Sequence, residues 1–196
     1  MIHTIGVIGA GQMGNGIAHV ASLKGYTVKL MDIDPHQIEK AKDIIGQNMA
    51  RQVKREYITD GERQAALNHI AYGTDYGLFK DCDIVIEAAT EKEEIKRDIL
   101  KKLCPLLKPE AIVASNTSSI SITRLAAATD RPARFMGMHF MNPVPLMQLV
   151  ELIRGLATDD QTFSAVRELS EKLGKTIAVS EDFPAFIVNR ILLPMI

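Results

Sequence analysis

The feature that most constrains this chain is a glycine-rich turn set between a strand and a helix. His3 to Ile8 (HTIGVI) is a short, β-branched run that stops at a glycine, the profile of a buried parallel strand. Gly9-Ala10-Gly11-Gln12-Met13-Gly14 follows. Met13, Ile17, Ala18, Val20 and Ala21 then recur at helical spacing until Gly25 closes the helix as a C-cap. Thr27 to Met31 reads as the second strand and ends at Asp32, 23 positions after Gly9. A G-x-G-x-x-G alone arises for many reasons; between a strand and a helix, with an acid closing the next strand, it points to a dinucleotide. Gly9 allows the tight turn, Gly11 lets a pyrophosphate approach the backbone, and Gly14 lets the helix lie close on the strand. Gln12 and Met13 open that helix, whose free N–H groups and dipole favour phosphate. Asp32 is placed to accept hydrogen bonds from the adenosine ribose hydroxyls.

The rest of the chain alternates in the same way. Asp34-Pro35 is an N-cap followed by a first-position proline and starts a helix to about Arg55. Thr59-Asp60-Gly61-Glu62 resembles a capping box and opens a shorter helix to about Leu67. Further strands are expected at Ile70–Gly73, Asp83–Ala88, Ala111–Ala114, Phe135–Phe140, Leu146–Ile153 and Ile177–Val179. Helices are expected at Glu91–Leu103, after the polar loop Ser115–Ser119 as far as Ala128, and at Asp159–Leu173. This is the pattern of an α/β protein, a Rossmann-like doubly wound and mostly parallel sheet of about eight strands. The last segment, AFIVNRILLPMI after Asp182-Phe183-Pro184, is apolar on most of its surface. It reads as the start of a second domain, giving a nucleotide-binding domain over 1–183 and a truncated helical one over 184–196.

Composition narrows the class. With 196 residues, the chain holds one domain or one and a fraction. Lys plus Arg number 23 and Asp plus Glu 24, a net charge of -1 that speaks against a nucleic-acid binder. Cys82 and Cys104 make neither a disulfide framework nor a zinc set, so no metal is expected and a reducing, cytoplasmic compartment suits the chain. No apolar run approaches the roughly 20 residues of a membrane span, and Met1 to Gly9 already read as structure rather than as a signal peptide.

Three clusters carry possible chemistry. His139 sits near the end of a predicted strand, at the carboxyl edge where such sheets bind ligands. Asn142-Pro143-Val144-Pro145 makes a turning connection that can return Glu151 to its side. A carboxylate on one ring nitrogen would fix the tautomer and leave the other as a base. A histidine at a strand end is also an ordinary structural hydrogen-bonder, and spacing alone leaves both readings open. Ser115-Asn116-Thr117-Ser118-Ser119 lies on the same edge; Ser119 or Ser121 could cap the next helix, but the cluster exceeds what a cap needs. Arg51, Lys54 and Arg55 form a basic cluster, either a solvated face or a seat for an anionic group such as a phosphate.

GVIGAGQMGNGIA, DIVIEAATE, SNTSS, GMHFMNPVPLMQLVELIRG and FIVNRILLPMI, in that order, resemble the 3-hydroxyacyl-CoA dehydrogenases, nearest to the short-chain 3-hydroxybutyryl-CoA type. The resemblance covers essentially the whole chain. It implies NAD as cofactor and oxidation of an L-3-hydroxyacyl-CoA to the 3-oxoacyl-CoA. His139 would be the base on the 3-hydroxyl, Glu151 its orienting acid, and Ser118 and Asn189 groups near the substrate oxygens. Glu91, Lys96, Asn116, Ser118 and Asn142 would line the dinucleotide. Asn48 and Arg55 would meet coenzyme A at a helical hairpin inserted in the sheet, beside Arg51 and Lys54. The resemblance also implies a homodimer whose interface and part of whose substrate cleft come from the helical second domain. Without that domain, these residues are expected to bind NADH, turn over poorly and self-associate through Ile187, Val188, Ile191, Leu192, Leu193, Met195 and Ile196. Met141, Gln148 and Ala185 depart from the family pattern, where an aromatic, a lysine and a glycine are usual. The rivals are a dehydrogenase of free β-hydroxyacids and a non-catalytic NAD-binding relative.

Overall fold

The structure is a computed structural model, described here for residues 1–192. Eight strands form one sheet in the order β3-β2-β1-β4-β5-β6-β7-β8. They are β1 (Thr4–Ile8), β2 (Thr27–Met31), β3 (Ile70–Gly73), β4 (Ile84–Glu87), β5 (Ile112–Ser115), β6 (Phe135–Phe140), β7 (Leu149–Arg154) and β8 (Thr176–Glu181). Every neighbouring pair is parallel except β6 with β7. The helices are α1 (Gln12–Leu23), α2 (Pro35–Lys54), α3 (Asp60–Asn68), α4 (Glu93–Leu103), α5 (Ile122–Ala126), α6 (Asp160–Lys172) and α7 (Val188–Leu192). The chain winds from β1 outward to β3, then returns to β4 on the other side of β1. The gap between β1 and β4 is therefore the switch point at which doubly wound sheets bind ligands.

Alternation along the strands builds two cores. Ile5, Val7, Ile84, Ile86, Ile112, Ala114, Met136 and Met138 point to the face covered by α1, α2 and α6. Ile8, Val85, Val113 and Phe135 point to the opposite face, with Leu100, Leu103 and Leu125 from α4 and α5. Being buried on both faces explains why these strands read as continuous apolar runs. Gly14 sets how closely α1 approaches β1: a Cβ there would lie 1.7 Å from the Gly9 carbonyl oxygen. Gly9 has φ +95°, a left-handed turn that favours glycine.

Local signals set the helix ends. Asp34 caps α2 through the His36 N–H at 2.9 Å, with Pro35 in the first turn. Thr59 and Glu62 form the reciprocal capping box of α3. Helices α2 and α3 fill the crossover from β2 to β3 as the expected helical hairpin.

Most boundaries shift by a residue or two from expectation, and three of the shifts have a cause in the contacts. β7 begins at Leu149, not Leu146, because the Leu146 and Met147 N–H groups close a turn on the Pro143 carbonyl and Leu146 stays exposed. α4 begins at Glu93, not Glu91, whose carboxylate is drawn to the loop after β5. β8 runs from Thr176 to Glu181, longer than Ile177–Val179, since all six residues find partners on β7.

Candidate active site

The sheet edge at the carboxyl ends of β1, β2 and β4 holds a cleft of about 650 Å³ lined by Gly9, Gly11, Asp32, Ile33, Ala89 and Tyr76, among others. Asp32 is fixed by two backbone donors, Ala10 N–H at 2.8 Å and Asp34 N–H at 3.0 Å, one on each oxygen. Its remaining lone pairs are available to the cleft. Gly11 is the N-cap of α1 and offers no side chain, and the first turn carries no acid. The leading N–H groups of α1 are thus left without side-chain partners, and a Cβ on Gly11 would meet no protein atom within 4 Å. That open space against unpaired donors fits a pyrophosphate. Gln12 is exposed and borders a second cleft of about 470 Å³ that shares Gly11 and extends to Asn142. Met13 turns the other way and packs on the core.

The His139–Glu151 pairing, left open by spacing alone, takes a simple form. β6 and β7 are antiparallel, with His139 directly opposite Glu151, so both side chains leave the same face. His139 Nδ1–H donates to Glu151 Oε2 at 2.7 Å, with the two residues 6% and 0% exposed. A carboxylate can only accept, which fixes the proton on Nδ1. Nε2 has no hydrogen-bond partner among the described residues. Glu151 Oε1 accepts the Ile187 and Val188 N–H groups, each at 2.9 Å. The segment entering α7 is thereby tied to the carboxylate that orients the histidine. The Phe186 ring is buried 5.9 Å from the imidazole. Ile187 and Ile191 remain exposed, while Leu193 to Ile196 and the Leu192 side chain lie outside the described residues.

The polar loop after β5 is held in place by Glu91. Its Oε1 accepts from Thr117 Oγ1 at 2.6 Å, Ser118 N–H at 2.8 Å and Ser119 N–H at 3.2 Å. Burial would raise the Glu91 carboxyl, but these bonds and the nearby Lys96 ammonium outweigh it and hold it below its ordinary value. The Ser118 carbonyl accepts from Asn189 Nδ2 at 3.3 Å, so the two expected substrate-side residues do meet. Asn116 Oδ1 accepts the Phe140 N–H at 2.9 Å, bracing the residue after His139. Ser121, not Ser119, caps α5. Lys96 is buried and pairs with Glu87 at 2.8 Å, with a Glu91 oxygen 3.5 Å away.

The basic cluster divides. Asn48, Arg51 and Arg55 line a cleft of about 300 Å³ with His19, Tyr57 and Pro145, whereas Lys54 does not border it. Arg51 donates to Asn48, and among the described residues neither arginine has a carboxylate within salt-bridge distance. This cleft shares Asn48, Pro143 and Pro145 with the one beside Asn142. A path therefore runs from Asp32 past Gly11 to Arg55; His139 borders none of these three clefts. Among the described residues no cluster of His, Cys, Asp or Glu could hold a metal ion. None of their helices is long and apolar enough to cross a membrane.

Glu87 and the contacts of Asp182 escaped the sequence reading, and Ser115 entered it only as part of the polar loop. A lone carboxylate closing an otherwise apolar strand, DIVIEA, was the available signal for Glu87. Asp182 accepts from Ser121 Oγ and from the Ile122 and Thr123 N–H groups, each at 2.8 Å, fastening the end of β8 to α5.

Comparison with known proteins agrees with this geometry. Residues 4–183 match the model of the 3-hydroxyacyl-CoA dehydrogenase NAD binding domain. A 3-hydroxybutyryl-CoA dehydrogenase of Bradyrhizobium diazoefficiens is 63% identical over 196 residues, covering 100% of this chain and 67% of that protein. The fatty acid oxidation complex subunit alpha of Psychrobacter cryohalolentis is 42% identical over 98% of this chain, which spans 27% of that protein. The crystal structure of (S)-3-hydroxybutyryl-CoA dehydrogenase from Ralstonia eutropha superposes with a TM-score of 0.97 at 48% identity, covering 100% of this chain and 69% of that one. A chain that carries the dinucleotide turn, Asp32 and the buried His139–Glu151 pair within this match belongs to the 3-hydroxyacyl-CoA dehydrogenase family, as its NAD-binding domain.

Proposed function

We propose that this protein oxidises an L-3-hydroxyacyl-CoA, 3-hydroxybutyryl-CoA being the expected substrate, to the 3-oxoacyl-CoA, and runs the reverse reduction. The observation that carries the reading is the buried His139–Glu151 pair with an uncommitted Nε2, on a sheet that also carries a cradle suited to NAD. NAD, when bound, supplies the hydride acceptor. His139 Nε2 takes the proton of the 3-hydroxyl, and Glu151 stabilises the imidazolium that results. Ser118 and Asn189 hold the substrate oxygens; Asp32 and the turn of Gly9, Gly11 and Gly14 hold the dinucleotide, with Glu91, Asn116 and Asn142 along it. Arg51 and Arg55 seat the phosphates of coenzyme A, with Asn48 beside them.

The domain reading is 1–183 for NAD and 184–196 as the beginning of a helical domain. In relatives of full length that domain would complete the substrate cleft and the homodimer, in the cytoplasm. The test uses the chain's lack of tryptophan, so bound NADH can be followed by its own emission. Acetoacetyl-CoA should consume the signal in a form carrying the second domain, and free acetoacetate should not. Loss with the free acid alone would favour a β-hydroxyacid dehydrogenase; binding without any turnover would favour a non-catalytic relative.

A further inference from the structure

We propose that Glu87 is a positioning residue for the reaction, setting the Thr117–Ser119 loop through a buried relay of Lys96 and Glu91. Glu87 is 0% exposed at the end of β4, where an ionised carboxylate is costly unless fully satisfied. Four donor contacts satisfy it. Oε1 accepts from Ala89 N–H at 2.7 Å and Lys96 Nζ at 2.8 Å. Oε2 accepts from Lys96 Nζ at 2.9 Å and Ser115 Oγ at 2.7 Å.

The relay runs outward from there. Lys96 Nζ lies 3.5 Å from Glu91 Oε2, and the other Glu91 oxygen gathers Thr117, Ser118 and Ser119. Glu87 also holds the near end of the same loop with its backbone, through the Asn116 N–H at 2.8 Å. Asn116 in turn braces Phe140, next to His139. One buried residue therefore fixes both ends of the segment that carries Ser118, and reaches the strand that carries His139. A cluster serving stability alone needs no such route, since apolar replacements of buried ion pairs are often neutral or stabilising.

This inference rests on the reading of Ser118 as a substrate-side group, and the test separates the two. Glu87→Gln keeps the shape but turns one acceptor into a donor facing Lys96 or Ser115. Ser115→Ala removes one donor to Glu87 without stranding a charge, and guards against a Glu87 variant that does not fold. It also removes the acceptor of the Thr117 N–H at 3.3 Å, so the relay is read at Ser118 and Ser119. Hydrogen exchange at Ser118 and Ser119 should quicken by about tenfold in each, as their bonds to the Glu91 carboxylate are weakened. In a form that turns over, kcat should fall by about 10- to 100-fold for Glu87→Gln, as misplacement near 1 Å does, with a smaller loss for Ser115→Ala. The dissociation constant for NADH should change less than kcat does, because Asp32 and the glycine turn are untouched while only Glu91 and Asn116, along the dinucleotide, are disturbed. Unchanged exchange in both variants overturns the relay. So does wild-type kcat in Ser115→Ala when Glu87→Gln has merely lost its fold. Turnover absent from the wild type defeats the functional reading instead, and the exchange measurement then decides the relay alone.

Discussion

Replacing Glu151 with Gln removes one charge and creates a hydrogen-bond conflict that the geometry makes inescapable. Oε1 now accepts two backbone N–H groups, from Ile187 and Val188, and Oε2 accepts His139 Nδ1–H. A glutamine has one acceptor oxygen. With that oxygen toward the backbone, its NH2 faces Nδ1, so the ring must carry its proton on Nε2 and cannot take one from the substrate. With the amide reversed, the NH2 meets two N–H donors and the chain entering α7 loses its anchor. The charge alone matters as well. A unit pair about 4 Å apart at an effective dielectric near 20 is worth about 4 kcal/mol, and both groups are buried, so solvent screens little. Retaining half to all of that loss at the transition state lowers kcat by about 30- to 1,000-fold, at about 1.4 kcal/mol per factor of ten. Steady-state reduction of acetoacetyl-CoA in a form with the second domain gives kcat, and nitrogen NMR of labelled His139 gives the tautomer. Near-normal kcat with the proton still on Nδ1 would refute the reasoning.

Asp32 should decide the cofactor: a 2′-phosphate beside its carboxylate costs roughly 2–3 kcal/mol after partial solvation, so NADPH should bind about 30- to 200-fold more weakly than NADH. Comparable dissociation constants by NADH and NADPH emission would sink that claim. Ala185 has φ +67°, a conformation costing an L residue about 1–2 kcal/mol. Ala185→Gly should therefore raise stability by about 0.5–1 kcal/mol after the loss in chain entropy, and a lower urea midpoint would contradict it. Burial would raise the Asp182 carboxyl, but bonds from Thr123, Ile122 and Ser121 hold it below its ordinary value. Its contribution is thus present above the usual carboxylate pKa and lost as pH falls below about 4. The gap in unfolding free energy between the wild type and Asp182→Asn, about 1–2 kcal/mol at neutral pH, should close toward pH 3; a constant gap would count against the clamp.

Much of this was readable before any coordinates, for identifiable reasons. Strands β2, β3 and β6 took the bounds read from their apolar runs, because turn and polar residues bracket them: Asp32 after β2, Gly73 closing β3 and Asn142-Pro143 just past β6. The caps of α2 and α3 rested on local chemistry that Asp34-Pro35 and Thr59-x-x-Glu62 carry in the sequence. The His139–Glu151 pairing was within reach because two prolines imply a return, and a hairpin puts opposed residues side by side. Where the reading slipped, a long-range contact outbid a local preference. Leu146 continues the apolar pattern of β7, yet Pro143 draws its N–H into a turn. Lys96 lies on a charged helix, yet its ammonium turns inward to Glu87, nine residues before it on another element. The Glu151 bonds to Ile187 and Val188 join residues 36 and 37 positions apart, which no periodicity reports.

The most direct test of the central claim is single-turnover oxidation of L-3-hydroxybutyryl-CoA by wild type and His139→Gln, each saturated with NAD and carrying the second domain. The account predicts NADH formation in the wild type and a rate lower by about 10²–10⁴ in the variant, the usual worth of a positioned acid–base group, with NADH affinity unchanged. A variant that forms NADH at the wild-type rate would show that His139 is not the base, and a wild type that forms none would show that this site does not perform the reaction.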